Sequence, residues 1–337
     1  MKKTILLFGI FALLGTVAAW YIMMGDQKST RSESETNFGI KDIGQVQKIF
    51  IADRSGETTT LERQGKYWLY NGKYRARPDA MRNLLDAMRR VDVNYVVARA
   101  AVDNIVKDLA TDGIKVEAYN KDNNKIRSYY VGGMTNDELG TYMIMEGANE
   151  PYVTHIPSWE GGLRARYQLK GEEWRDRHVF QEDVEQIESV SMEYPTQKSK
   201  SFKLMRTEEG FDVSPFYEVT PRSQRPFKAG TPEAFLMGFE SLIAEAFQNR
   251  NPERDSILRR IPFCNATVNY KDGQSRTASF YPVVQYDASG KVITDYQVMA
   301  ANTAIERYHT LVNNDDFMLV QQRIFGKIFW PYDAFFQ

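Results

Sequence analysis

With 337 residues, 42% hydrophobic and 26% charged, the chain has material for about two ordinary domains and the composition of a folded protein, which excludes a wholly disordered or polytopic membrane chain. Lysine and arginine number 43 against 44 acids, so no overall field draws the chain to nucleic acid. A single cysteine, Cys264, excludes an intrachain disulfide, and three histidines leave none of the usual zinc spacings.

Residues 4–24 (TILLFGIFALLGTVAAWYIMM) carry no charge and follow Lys2 and Lys3. At about 1.5 Å per residue they reach roughly 30 Å, the thickness of a bilayer core. The positive-inside bias then predicts a single-pass anchor in the cytoplasmic membrane, with the bulk of the chain outside the cytoplasm. Val17-Ala18-Ala19 also suits a signal-peptide cleavage site, but the apolar run continues through Trp20-Tyr21 to Met24, longer than a usual signal core. No cysteine lies near the end of the run, so a lipid-modified amino terminus is excluded. Residues 25–37 are polar, lack apolar periodicity and read as a flexible tether.

Beyond the tether the chain repeats itself. The phrase Asp42-Ile43-x-x-Val46-x-x-Ile49 returns as Asp183-Val184-x-x-Ile187-x-x-Val190, each leading into a strand. A glycine turn carrying an aromatic follows in both places, Gly65-Lys-Tyr-Trp68 and Gly210-Phe211, and predicts hairpins. Pro78 then opens a helix with Met81, Leu84, Leu85, Met88 and Val91 on one face. Thr231-Pro232 opens another, with Thr231 as cap and Phe235, Phe239, Leu242, Ile243 and Ala246 on its face. Shorter helices are expected at residues 102–109 and 252–259, the second capped by Asn251. Each half closes with a meander, residues 115–119 turning into 126–131 and residues 266–270 turning into 277–281. Final strands around Tyr142 and Tyr152 are matched to strands around Tyr296 and Tyr308. The expected fold is α+β: two tandem repeats, each an antiparallel sheet with packed helices, at residues 38–157 and 180–312, joined by a connector at 158–179 and followed by an aromatic tail at 313–337.

This order of a D-[IV]-x-x-[IV]-x-x-[IV] strand, a glycine turn with Trp or Phe, an amphipathic helix, a short helix and a Y-x-x-M strand resembles the bacterial "domain of unknown function 4340" family, over about residues 38–312. The resemblance implies an accessory role, with one amino-terminal anchor in the bacterial cytoplasmic membrane, beside transport machinery of the ABC type or gliding-associated components. It carries no catalytic residues.

A nucleophile elbow, phosphate loop, dinucleotide fingerprint, zinc-protease helix and EF-hand loop are all missing from the sequence, so no enzyme activity, metal or cofactor is expected. His155 and His309 fall at what read as matching places in the two meanders, which suggests packing. Asp183 repeats Asp42 before a strand and reads as a turn or cap residue. Two segments are candidate contact surfaces, and both also read as packing segments, the connector between the two repeats and the tail on the second domain. The connector concentrates Trp159, Arg164, Arg166, Tyr167, Trp174, Arg175 and Arg177, residue types enriched at interface hot spots, and the tail offers Phe329, Trp330 and Tyr332. The function expected is therefore a non-catalytic accessory or scaffold protein of an envelope complex, with an envelope membrane-protein partner. The alternative is a small-molecule or glycan-binding module using the inter-repeat cleft, where Trp159, Tyr167 and Trp174 would stack on the ligand.

Overall fold

Both repeated phrases fold the same way. Asp42 and Asp183 each sit before a single 3-10 turn, their carboxylates accepting from the N–H groups of Gly44 and Glu185, both at 3.1 Å. A short acceptor side chain satisfies donors that a helical turn leaves free, so the aspartates are caps. These are features of a computed structural model, which describes residues 33–283 and 305–337. The expected anchor at 4–24 and the strand around Tyr296 lie outside the described residues. Among the described residues no helix is long and apolar enough to cross a membrane.

The chain divides into two units between Asp176 and Arg177. In the first, β1 (Lys48–Ala52) buries Ile49 and Ile51 by strict alternation, and β2 (Thr58–Gln64) and β3 (Tyr67–Tyr70) form the expected hairpin. After the two-residue β4 (Tyr74–Arg75) comes α1 (Pro78–Arg90), with proline in its first turn and Arg89 and Arg90 at the carboxyl end, where the helix dipole favours cations. Next come β5 (Asp92–Val96), α2 (Arg99–Asp112), β6 (Ile114–Tyr119), β7 (Lys125–Met134), β8 (Thr141–Met145) and β9 (Tyr152–His155). The sheet is antiparallel throughout, in the order β4-β3-β2-β1-β6-β7-β8-β9-β5. Its alternating residues serve two cores. Tyr129, Val131 and Met143 face α1, whereas Tyr130, Tyr142 and Val153 face α2. The second helix comes close enough that a Cβ on Gly132 of β7 would stand 2.8 Å from Leu109 Cδ2.

The second unit contains β10 (His178–Phe180), β11 (Ile187–Glu193), β12 (Phe202–Thr207), β13 (Gly210–Pro215), α3 (Thr231–Met237), β14 (Leu242–Ile243), β15 (Ala246–Phe247), α4 (Arg254–Leu258), β16 (Cys264–Tyr270), β17 (Ser275–Pro282), β18 (Arg307–Val312), β19 (Asp316–Gln321) and α5 (Gln322–Phe325). Its main sheet runs β13-β12-β11-β16-β17-β18-β19-β15, the first unit's order without the short edge strand. Here too the faces divide. Ala278 and Phe280 serve the main core, and Tyr281 with Phe317 meets Ile257 of α4 on the other side.

Several expectations are corrected. The second long helix stops at Met237: Leu242–Ile243 pair with β10 and Ala246–Phe247 with β19, because the bonding partner of this apolar run is a strand edge. Gly230, at φ +76°, holds the cap position, and Thr231 Oγ1 donates to Lys228 O at 2.7 Å instead. By strand order β18 corresponds to β8 and β19 to β9, so Tyr308 does not match Tyr152, and His309 (β18) does not match His155 (β9). The expected tail contains β19, a strand of the second sheet.

Both units finish with a strap that returns to the core. In the first, Ile156, Leu163, Tyr167 and Trp174 are fully buried; in the second, Phe325, Ile328 and Phe335 are. The ends of the two straps bond in one register. Trp174 O accepts from Arg77 N (2.8 Å) and Asp176 N donates to Arg75 O (2.7 Å); Phe335 O accepts from Lys228 N (2.9 Å) and Gln337 N donates to Pro226 O (3.0 Å). In each case the strap locks the segment just before α1 or α3.

Candidate functional site

The residues expected to make contacts are mostly spent inside the two units. Tyr167 is fully buried, its hydroxyl within hydrogen-bond reach of that of Tyr129 at 3.3 Å, and burial raises its pKa to about 12, so it stays neutral. Trp174 is fully buried and its indole N–H donates to Leu169 O at 2.7 Å. Arg175, 7% exposed, lies over the Tyr74 ring at 3.7 Å. Arg164 binds Asp112 through both the backbone carbonyl (2.8 Å) and the carboxylate (2.9 Å). Arg177 donates to Glu245 O, and its own carbonyl accepts from Ala244 N. In the tail, Phe329 packs on Phe263, Phe280 and Tyr308, Trp330 on Phe235, and the Tyr332 hydroxyl accepts from Ser223 N. Trp159 alone of the connector aromatics is exposed, at 38%, with the Arg166 guanidinium 4.6 Å from its ring centre. Tyr167 and Trp174 are both fully buried in the core of the first unit, so neither presents a ring face to solvent.

The histidines do not assemble a reactive group. His155 pairs across from Asp92 at the sheet edge, and His178 Nε2 lies 3.4 Å from Ser241 Oγ. His309 stacks on Phe317 at 5.3 Å, where burial first and then the Arg260 charge lower its pKa. Among the described residues no three His, Cys, Asp or Glu side chains gather as a metal would require. The strongest carboxylates are likewise occupied. Lys125 (2.5 Å) and Lys115 (3.0 Å) hold Glu146 down to about 2, and Lys170, then Ser55, does the same for Asp53.

What the first unit does offer is an open groove of about 470 Å³ between α1 and the β3–β4 hairpin. Its floor is apolar: Trp68, Ala76 and Met81 are buried at 7%, 2% and 3% exposure, and half-buried Ile43 and Leu85 extend it. Four cations rim it, Lys66 and Arg75 on the hairpin side and Arg82 and Arg89 on the helix side. The one acid of the lining, Asp86, already carries Arg89 (3.6 Å), Arg90 (3.5 Å) and Arg166 (3.3 Å). The fold builds each part: Arg63 stacks on Trp68 at 4.7 Å while its Nε donates to Val46 O, fixing the indole, and Met81 and Leu85 follow at helical i, i+4 spacing. Reading the sequence missed this site. Its signal was Leu85 between Arg82 and Arg89, an apolar position with cations on its flanks.

The fold and groove define a two-unit antiparallel-sheet protein with a recessed, positively rimmed surface on its first unit. The family described as Domain of unknown function (DUF4340) matches residues 43–258, from the first capped turn to α4, and the chain belongs to that family. The match is one stretch crossing both units. No curated protein matches the chain.

Proposed function

We propose that this protein is a non-catalytic accessory protein of a bacterial envelope complex. In this reading residues 4–24 hold it to the cytoplasmic membrane, its two units lie outside the cytoplasm, and it works beside an ABC-type transporter or gliding-related machinery. The groove of the first unit is its contact surface. The observation that carries the reading is that groove: an apolar floor sunk beneath a cationic rim is what a specific protein contact uses, desolvated at the centre and charged at the edge. The uncharged run after Lys2 and Lys3 supports the anchor.

Duplication of one ancestral unit is part of the proposal. The shared strand order, the aspartate caps and the common register of the two straps support it. So does the stacking of Arg63 on Trp68, repeated by Arg206 on Phe211 at 4.9 Å. The test is purification of the full chain from chemically crosslinked native membranes, with mass spectrometry of what accompanies it and of its amino terminus. Enrichment of transporter or motility subunits, with the amino-terminal segment 4–24 intact, is the expected result. Absence of any reproducible partner refutes it.

A further inference from the structure

We infer that the groove of the first unit receives an acidic amphipathic helix of about three turns from a partner protein. The inference rests on the reading of the groove as a contact surface and adds what occupies it. Along α1 the lining runs from Pro78 to Arg89, which at 1.5 Å per residue is roughly 16 Å, three turns of a helix. Cations stand on both banks, so the matching ligand carries an apolar stripe flanked by acids on either side. Neither Lys66 nor Arg82 has an ion-pair partner among the described residues, and both are exposed, which leaves their charge to an incoming carboxylate.

Two other modes fit worse. A strand added to the sheet needs an open edge, but the strap occupies the outer side of β4: Asp176 N donates to Arg75 O, Arg77 N donates to Trp174 O, and Ala76 bridges Arg175. An anionic bilayer meets protruding apolar side chains, whereas Trp68, Ala76 and Met81 lie recessed below the rim. Helix-in-groove packing, with anchors at i, i+3 or i+4, and i+7, reaches such a floor.

The experiment places a photo-crosslinking p-benzoylphenylalanine at Tyr67, an exposed rim position, in the full anchored chain, irradiates native membranes and maps the adduct to a peptide. The expected adduct lies in a partner segment with Leu, Ile or Phe at helical spacing and Asp or Glu on both flanks. Arg82→Glu with Arg89→Glu lowers the yield about tenfold or more, and Arg82→Gln with Arg89→Gln lowers it less. Both sites are exposed, and unchanged hydrogen exchange in β1–β3 certifies the fold. An adduct to a neutral or basic protein segment, an adduct to lipid, or a yield indifferent to charge reversal overturns the acidic-helix inference while leaving the accessory reading to its own copurification test. No adduct at Tyr67, with partners still copurifying, moves the contact surface away from the groove and overturns the inference with it.

Discussion

Replacing Trp174 with alanine separates a core residue from a contact residue. The side chain is fully buried among Leu163, Tyr167 and the inner face of the first sheet, and its indole N–H is bonded to Leu169 O at 2.7 Å. Truncating a buried aromatic costs about 3–5 kcal/mol through lost transfer energy and an unfilled cavity, and the abandoned Leu169 carbonyl lies within that range. At about 1.4 kcal/mol per factor of ten, protection against amide exchange that reports unit-wide opening falls roughly 100- to 4,000-fold. Native-state hydrogen exchange on the full chain, resolved by peptide, places the loss in β1, β2, β6 and β7. Trp174→Phe keeps most of the apolar volume, strands the carbonyl and falls between the two. Refutation takes a definite form: if Trp174→Ala leaves exchange in these strands within a few-fold of the parent while copurifying partners disappear, the indole is a contact and the packing argument is wrong.

Phe335→Ala, the counterpart in the second strap, removes edge-on contacts with Phe202 and Phe235, and the same exchange experiment is expected to show a loss of about 3–5 kcal/mol in β11, β12 and β16. Asp42→Ala and Asp183→Ala each cost about 0.5–2 kcal/mol, read as lowered urea midpoints, and Asn replacements recover most of it. For His309 the folded pKa lies below the ordinary 6.5, so the unfolded chain takes up the proton first. Its contribution is therefore complete above about pH 6.5 and is lost as pH falls from there toward the folded value; urea melts at pH 7.5 and 5.5 show the difference, and His309→Gln reduces it.

Legibility in the sequence followed the locality of the signal. The aspartate caps, the hairpins turning at Gly65 and Gly210, and α1 behind Pro78 were readable because a few neighbouring residues fix each one. The helix expected through Ala246 failed because Phe235 and Phe239 do have helical spacing, while Leu242 and Ile243 join a strand whose partner, His178–Phe180, lies some 60 residues away. The straps were found by composition, which left contact and packing both open as their role. Tryptophan, arginine and aromatic clusters serve an interface and a core closure equally well, and only the register of Trp174 with Arg77, or of Phe335 with Lys228, decides between them. The groove was hidden for a related reason: Ile43, Trp68 and Leu85 belong to three separate elements, and only the assembled sheet brings them to one floor.

The straps also set an order of assembly. The first unit has all its core residues once Trp174 has been made, whereas Phe202 and Phe235 of the second wait for Phe335, roughly 130 and 100 residues later. At about 5–20 residues per second that is an interval of about 5 to 27 s in which a half-built sheet shows uncovered phenylalanines. The second unit is thus the part of a nascent chain that needs shielding, and the amino-terminal unit is the part that can fold ahead of it unaided.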